Sequence, residues 1–426
     1  MPTADRFMES LVDDIRKGRT VFVLLPDSIE LDLVWEEINR LLQRRQEINI
    51  NWHGFYVSEM PRDKLPHLAL ADAIRVVWPD QETPRTVSNL LDLAEFPDLL
   101  LLRDIGSLNE DEQDAWLKMI GSWETAGRSI LTRGGKPKGL VLIDKYKCLK
   151  AGISRILDTL TVRWWWGIPS ALEMRQLCRL ASSYQEHAER TSGSRWREHV
   201  LPGLVGNDVE LAEHIWDQAQ SSGDDLIERL ASFAEFRKWA PTDLEAWGAN
   251  DVVAARRKYR SRILDSPPSE LLELWASGAL SYSSEYGLDL HPAANQVLGQ
   301  QGAIKRKMWR GQVELLSPIL DNLRIDICQY LSGEYGDDWP VKWAEFTSTA
   351  DERESREDPL TTQWTHIVKV LNNLGRSRRK EHEQSLYDQA VLARCIRNKI
   401  YHYNLVEFRE FDQLDKMMAG GSYSDR

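Results

Sequence analysis

Pro97-Asp98-Leu99-Leu100-Leu101-Leu102-Arg103-Asp104 is the stretch on which the fold turns. Four leucines in succession leave no polar face, and a strand of this kind is stable only when both of its sides are covered. Thr20-Val21-Phe22-Val23-Leu24-Leu25 upstream and Gly139-Leu140-Val141-Leu142-Ile143-Asp144 downstream have the same character. Asn51 to Val57 and Thr159 to Trp166 complete a set of five strand segments. Between them, Ile29 to Gln46 carries Leu33, Val34, Ile38, Leu41 and Leu42 at helical spacing, and Leu68 to Val77 and Asn89 to Leu93 read as shorter helices. Asn109 to Ala126 opens on a polar residue with acids in its first turn, as a helix start requires. Strands alternating with helices predict an α/β domain over residues 1–166, a five-stranded parallel sheet covered on both faces.

Beyond Trp166 the pattern turns helical. Leu172 to Glu189 and Asp208 to Gln220 are clear segments, and Thr242 to Ser283 continues as helices interrupted by Pro267-Pro268. Ser277 to Gln301, rich in Gly, Ser, His and Pro, reads as a connector. A second helical block runs from Ala303 to Phe411, with the charged stretch Thr347 to Pro359 as a loop inside it. The expected organisation is thus an α/β domain (1–166), a helical adaptor (167–300), a helical bundle (301–412) and a disordered tail (413–426), whose end, Ala419 to Arg426, is small and polar.

Among the 426 residues, Lys and Arg number 54 against 66 Asp and Glu, a formal net charge of −12. That balance argues against a general nucleic-acid coat, which needs surplus cations, and leaves room for a local basic site. The 17 Trp suit helix-packing cores; Trp309, Trp339, Trp343 and Trp364 are expected in the bundle core. Cys148, Cys178, Cys328 and Cys395 are scattered without a C-x-x-C pair, so neither a metal site nor a disulfide framework is expected, and a reducing, cytoplasmic location fits. Met1 to Arg19 has charges throughout and lacks the apolar centre of a secretory signal. No run approaches the roughly 18 apolar residues of a membrane span, so no membrane association is expected.

Over Arg19 to Trp166 the alternation, with an acid closing the third strand, resembles a P-loop NTPase core of the AAA+ or STAND kind. In that family the first strand runs into G-x-x-x-x-G-K-[ST], whose amides and Lys hold phosphates. Here it runs into Pro26-Asp27-Ser28-Ile29-Glu30, with neither Gly nor Lys and with two acids where phosphates would sit. Asp104 holds the place of the Walker B acid with no metal–nucleotide to bind. The expectation is a degenerate docking module, not an ATPase, with no cofactor. Gly134-Gly135-Lys136-Pro137-Lys138-Gly139 reads as a surface turn, because Pro137 spoils a phosphate-cradling helix start. Trp164-Trp165-Trp166 reads as packing. By analogy, residues 167–300 resemble the winged-helix and lid extensions of such ATPases.

A long helix from Ser385 to Val406 carries two stripes. Leu392, Ile396, Ile400 and Tyr403 form an apolar one; Arg394, Arg397, Asn398, Tyr401 and His402 form a polar one at i, i+3, i+4, i+7 and i+8. Arg397-Asn398-Lys399-Ile400-Tyr401-His402 gives R-N-x-x-x-H, and with the helices from Ala303 to Phe411, opened by a long helix over Met308 to Leu331, it resembles the HEPN family of helical bundles. The resemblance implies a metal-independent ribonuclease or RNA-binding domain of a prokaryotic antiphage defence system. His402 would move the proton, Arg397 would stabilise charge at phosphorus, and Asn398 would orient His402 or a phosphate. Arg394 and Tyr401, with the basic run Arg376, Arg378, Arg379 and Lys380, would bind RNA. It also implies a homodimer through the bundle, since the family builds its site where two such helices meet, and other defence-system proteins as partners. The alternative is a non-enzymatic scaffold bridging partners in a larger complex.

Overall fold

The computed structural model describes residues 3–44, 50–79, 82–149, 160–185, 191–218, 224–260, 262–283, 286–344, 346, 348–374 and 381–420. The chain forms two compact units, each built from two segments: residues 1–170 with 241–291, and residues 171–240 with 292–426.

In the first unit, β1 (Thr20–Leu25), β2 (Trp52–Tyr56), β3 (Leu99–Arg103), β4 (Gly139–Lys145) and β5 (Thr161–Trp164) make one sheet in the order β2-β3-β4-β1-β5. Every pairing is parallel, as the sequence predicts. Alternate side chains take opposite faces. Val21, Val23, Leu25, Leu99, Leu101, Val141 and Ile143 pack with Met8, Leu11 and Ile15 of the helix Thr3–Arg16 and with Val34, Trp35 and Ile38 of the helix Leu31–Arg44. The other set, Phe22, Leu24, Leu100, Leu102, Leu140 and Leu142, is equally buried. Both faces being covered is why these strands have no polar side.

The second segment of this unit overturns part of the adaptor expected at 167–300. Trp275 meets Trp164 edge-on at 5.2 Å, and Trp166 stacks on Tyr282 at 4.9 Å. The aromatic triplet is therefore packing, and it fastens residues 241–291 to the sheet. The connector predicted over Ser277 to Gln301 contains an antiparallel hairpin, β6 (Leu280–Ser283) against β7 (Gly287–Leu290), with Leu280 opposite Leu290 and Tyr282 opposite Leu288. Its apolar alternation is short enough to be missed beside the Gly and Ser content.

The second unit is helical. Residues 171–240, assigned in sequence to the adaptor, share its core: Trp196 and Val200 pack with Leu316, Leu320, Leu323, Ile327, Trp339, Trp364, Leu386, Ile396, Phe411 and Leu414. The helix Ser192–Val205 crosses the long helix Gln301–Tyr335 backbone against backbone. A Cβ on Gly311 would lie 2.6 Å from the His199 carbonyl oxygen and 2.7 Å from the Val200 Cα; a Cβ on Gly203 would lie 3.0 Å from the Gly311 Cα.

Two expectations are corrected here. The predicted loop 347–359 holds the helix Thr349–Glu357, whose Asp351 amide donates to the Ser348 side chain. It is polar nearly all round and is supported by the i,i+4 pairs Glu352–Arg356 and Arg353–Glu357. The expected tail from 413 is instead part of the helix Phe408–Gly420, because Phe411 and Leu414 are buried; residues 421–426 lie outside the described residues. No described helix is long and apolar enough to cross a membrane.

Candidate functional site

The motif helix runs from Glu381 to Tyr401, shorter than the predicted Ser385–Val406 at its C-terminal end. The chain leaves it through a Schellman closure. Asn404 N–H donates to the Lys399 carbonyl at 2.8 Å, Tyr403 N–H donates to the Ile400 carbonyl at 3.1 Å, and Tyr403 itself takes a left-handed φ of +57°. His402 thus sits at the cap. Tyr403 does not extend the apolar stripe with Ile396 and Ile400; its side chain is 66% exposed.

Three contacts from the long helix and the helix Phe408–Gly420 fix this end. The fully buried Gln312 forms a two-way clamp, its Nε2 donating to the Val406 carbonyl and its Oε1 accepting from Val406 N–H, both at 2.9 Å. Trp309 Nε1 donates to the Ile400 carbonyl at 2.8 Å, and its ring packs 4.6 Å from that of Tyr403. Lys399 pairs with Glu410 at 2.7 Å. A left-handed Tyr costs about 1–2 kcal/mol, and these contacts hold it there. Gln312 and Trp309 as positioning residues had no local signal, since their partners are backbone groups about 90 positions away in the chain.

Arg397 is half-buried. Its guanidinium lies 3.9 Å over the Tyr401 ring, and Nη1 donates to Asn398 Oδ1 at 3.3 Å. Among the described residues, neither Arg394 nor Arg397 has a carboxylate partner. Arg397 and Tyr401 line a cleft of about 270 Å³ with Ser317, Arg324, Thr361 and Trp364. Arg324 is not a free cation there: Asp321 accepts from its Nη2 at 2.8 Å, and Nη1 donates to the Leu360 carbonyl.

The predicted constellation is therefore only partly assembled. Arg394, Asn398 and His402 do not line the cleft, and Asn398 and His402 are exposed. Asn398 meets His402 through its backbone, whose carbonyl accepts the His402 N–H at 3.1 Å, while its side chain serves Arg397. Arg376, Arg378, Arg379 and Lys380 lie outside the described residues. Of the tryptophans expected in this core, Trp339 and Trp364 are buried, and Trp309 and Trp343 pack at its edge. Among the described residues no cluster of His, Cys, Asp and Glu has the arrangement of a metal site.

Comparison with known proteins adds little to this geometry. No family profile matches the chain, and no curated protein matches it. The solved structures that the chain matches include three at low similarity. The ORC2 protein of Aeropyrum pernix (ADPNP–ADP complexes) has a TM-score of 0.35 at 12% identity, over 72% of this chain and 93% of that one. A RuvB mutant of Thermotoga maritima has 0.33 at 11%, over 70% and 95%. A DNA replication initiation factor has 0.24 at 10%, over 96% and 93%. Scores this low transfer nothing from those proteins to this one.

Open α/β sheets usually bind ligands at the carboxyl ends of their strands. After β1, Asp27 N–H donates to the Ala276 carbonyl at 2.8 Å, and Lys147 pairs with the Asp27 side chain at 3.4 Å. Gly278, at φ +79°, packs so closely that a Cβ there would lie 2.7 Å from the Ser28 Cβ. The segment 276–278 thus rests on the loop that follows β1, Pro26 to Glu30. Neither ATP nor GTP with Mg²⁺ should raise the melting temperature, since only a ligand of the native state stabilises it. A clear shift at millimolar nucleotide would overturn this expectation.

Beside this loop, burial pushes the Asp144 carboxyl up to about 6, although it accepts from Gly106 N–H at 2.7 Å and Lys145 N–H at 2.8 Å. A carboxyl raised in the folded state contributes stability that is complete below its unfolded value near 4 and is lost as pH rises through 6. Asp144→Asn should therefore gain on the wild type, by up to about 3 kcal/mol, between pH 4 and pH 7. Urea unfolding of both proteins across that range measures the slope, and parallel curves would show that the carboxyl is not the cause.

Proposed function

We propose that the helical unit binds RNA at the Arg397 cleft and cleaves it without a metal when two copies of the motif helix face one another. The half-buried Arg397 carries this reading: its guanidinium lacks a carboxylate partner among the described residues and is stacked on Tyr401 at a cleft mouth. A cation kept in that state is matched to an anionic ligand, and the neighbouring ring offers a face to a base. His402, exposed at the cap outside the cleft, is free to approach a phosphate held by the other copy. One imidazole would take the proton of a ribose 2′-hydroxyl as that oxygen bonds to phosphorus. The other would give a proton to the departing 5′-oxygen as its bond to phosphorus breaks, leaving a 2′,3′-cyclic phosphate and a free 5′-hydroxyl. Arg397 would stabilise the extra negative charge between those steps.

The α/β unit then serves as a docking module, and the whole as a component of a prokaryotic antiphage defence system acting with other proteins of that system in the cytoplasm. Incubation of the purified protein with total RNA, with and without EDTA, tests the activity. EDTA-resistant cleavage leaving cyclic phosphate ends is expected. The position of His402 outside the cleft favours the second reading, a non-enzymatic scaffold, if no cleavage occurs and the protein remains monomeric at high concentration.

A further inference from the structure

Arg256-Arg257-Lys258-Tyr259-Arg260-Ser261-Arg262 places five cations in seven residues of a chain whose net charge is −12. It belongs to the first unit, whereas the motif helix belongs to the second. The run begins on the helix Val252–Lys258, whose apolar side is fixed in the core by Val252 and Ala255. The backbone then turns, with Tyr259 N–H donating to Ala255 O at 2.9 Å and Arg262 N–H to Tyr259 O at 3.0 Å.

The cations divide into two groups. Arg256 binds the β6–β7 hairpin, Nε donating to the Leu288 carbonyl at 2.6 Å and Nη2 to the Asp289 carboxylate. Lys258 and the Tyr259 hydroxyl both meet Glu270, at 2.8 and 3.0 Å, and Lys258 holds the Glu270 carboxyl down at about 2. The neighbouring acids Asp289 and Glu270 are therefore occupied. Arg257, Arg260 and Arg262 are exposed, and among the described residues their side chains have no acceptor or carboxylate partner.

We infer that Arg257, Arg260 and Arg262 form a binding surface for the phosphodiester backbone of a nucleic acid, independent of base sequence. Four of the five cations are Arg, whose planar fork takes two phosphate oxygens at once. A membrane surface fits less well. Interfacial helices lay an apolar face of Trp, Phe or Leu into the lipid, whereas the apolar face of this helix is buried within the protein and its exposed aliphatic neighbours are Val253 and Ile263. The surface stands on its own residues and needs no nuclease activity in the other unit.

Fluorescence anisotropy of the full chain with a labelled single-stranded RNA and a labelled duplex DNA, titrated from about 50 to 200 mM salt, tests it. The triple variant Arg257→Gln, Arg260→Gln, Arg262→Gln should bind at least about tenfold more weakly at the lower salt, and its log K against log salt slope should fall by about 2–3. The triple Lys variant should keep most of the slope, and Arg397→Ala should change it by no more than about one contact. The melting temperature should hold, because all three side chains are exposed. Wild-type slope and affinity in the Gln variant would overturn the inference. So would wild-type binding to phosphatidylserine vesicles with none to either nucleic acid.

Discussion

Alanine in place of His402 is expected to lower RNA cleavage by about 10²–10⁴-fold, the usual loss for a positioned acid–base group. Arg397→Ala should do the same by leaving the charge at phosphorus unsupported. Neither should unfold the protein. His402 is exposed at the helix cap, and Arg397 gives up only a contact to Asn398 and a ring stack worth about 0.5–1 kcal/mol. Ile396→Asp is the matched control, since it puts an unpaired charge into the core and should melt the bundle. Mixing the two alanine variants should restore little, because a mixed pair keeps a single His402 and so lacks either the base or the acid of the step. Full activity in either single variant would remove the nuclease reading and leave the scaffold one.

The largest effect on stability is expected at the glycine crossing. Gly311→Leu should unfold the helical unit, since its Cβ alone would stand 2.6 Å from a backbone oxygen and 2.7 Å from a Cα. Neither atom is the flexible end of a side chain, so one helix must move. Even Gly311→Ala should cost about 1–3 kcal/mol despite the better helix propensity of alanine. Gly333 lies on the same long helix with no atom within 4 Å of a Cβ position, so Gly333→Ala should instead stabilise by roughly 0.5–1 kcal/mol. Chemical denaturation of the pair distinguishes packing from propensity: equal signs would refute the close crossing.

The sheet was readable because burial on both faces demands unbroken apolar runs, and Leu99 to Leu102, Val21 to Leu25 and Leu140 to Ile143 have no other use. The charged segment 348–359 and the stretch 413–420 differ from the sequence expectation for the opposite reason. The first is a helix held by caps and ion pairs, and the second is fixed by two buried side chains, Phe411 and Leu414, in an otherwise polar stretch.

The candidate site divides along the same line. Helical periodicity placed Arg394, Arg397, Asn398 and Tyr401 on one stretch of helix, because spacing along a helix is a local property. Where that helix ends was not local: Gln312 and Trp309 bind backbone groups of Ile400 and Val406 and turn the chain at His402. That closure leaves Arg397 and Tyr401 at the cleft and His402 outside it. The sequence by itself determined the parallel sheet and the helical stretch that carries Arg397 and Tyr401, each set by neighbours within a few residues. Tertiary structure alone decided that residues 241–291 join the sheet while 171–240 join the bundle, because a contact such as Trp275 on Trp164 or Trp196 on Phe411 joins residues that no local pattern relates.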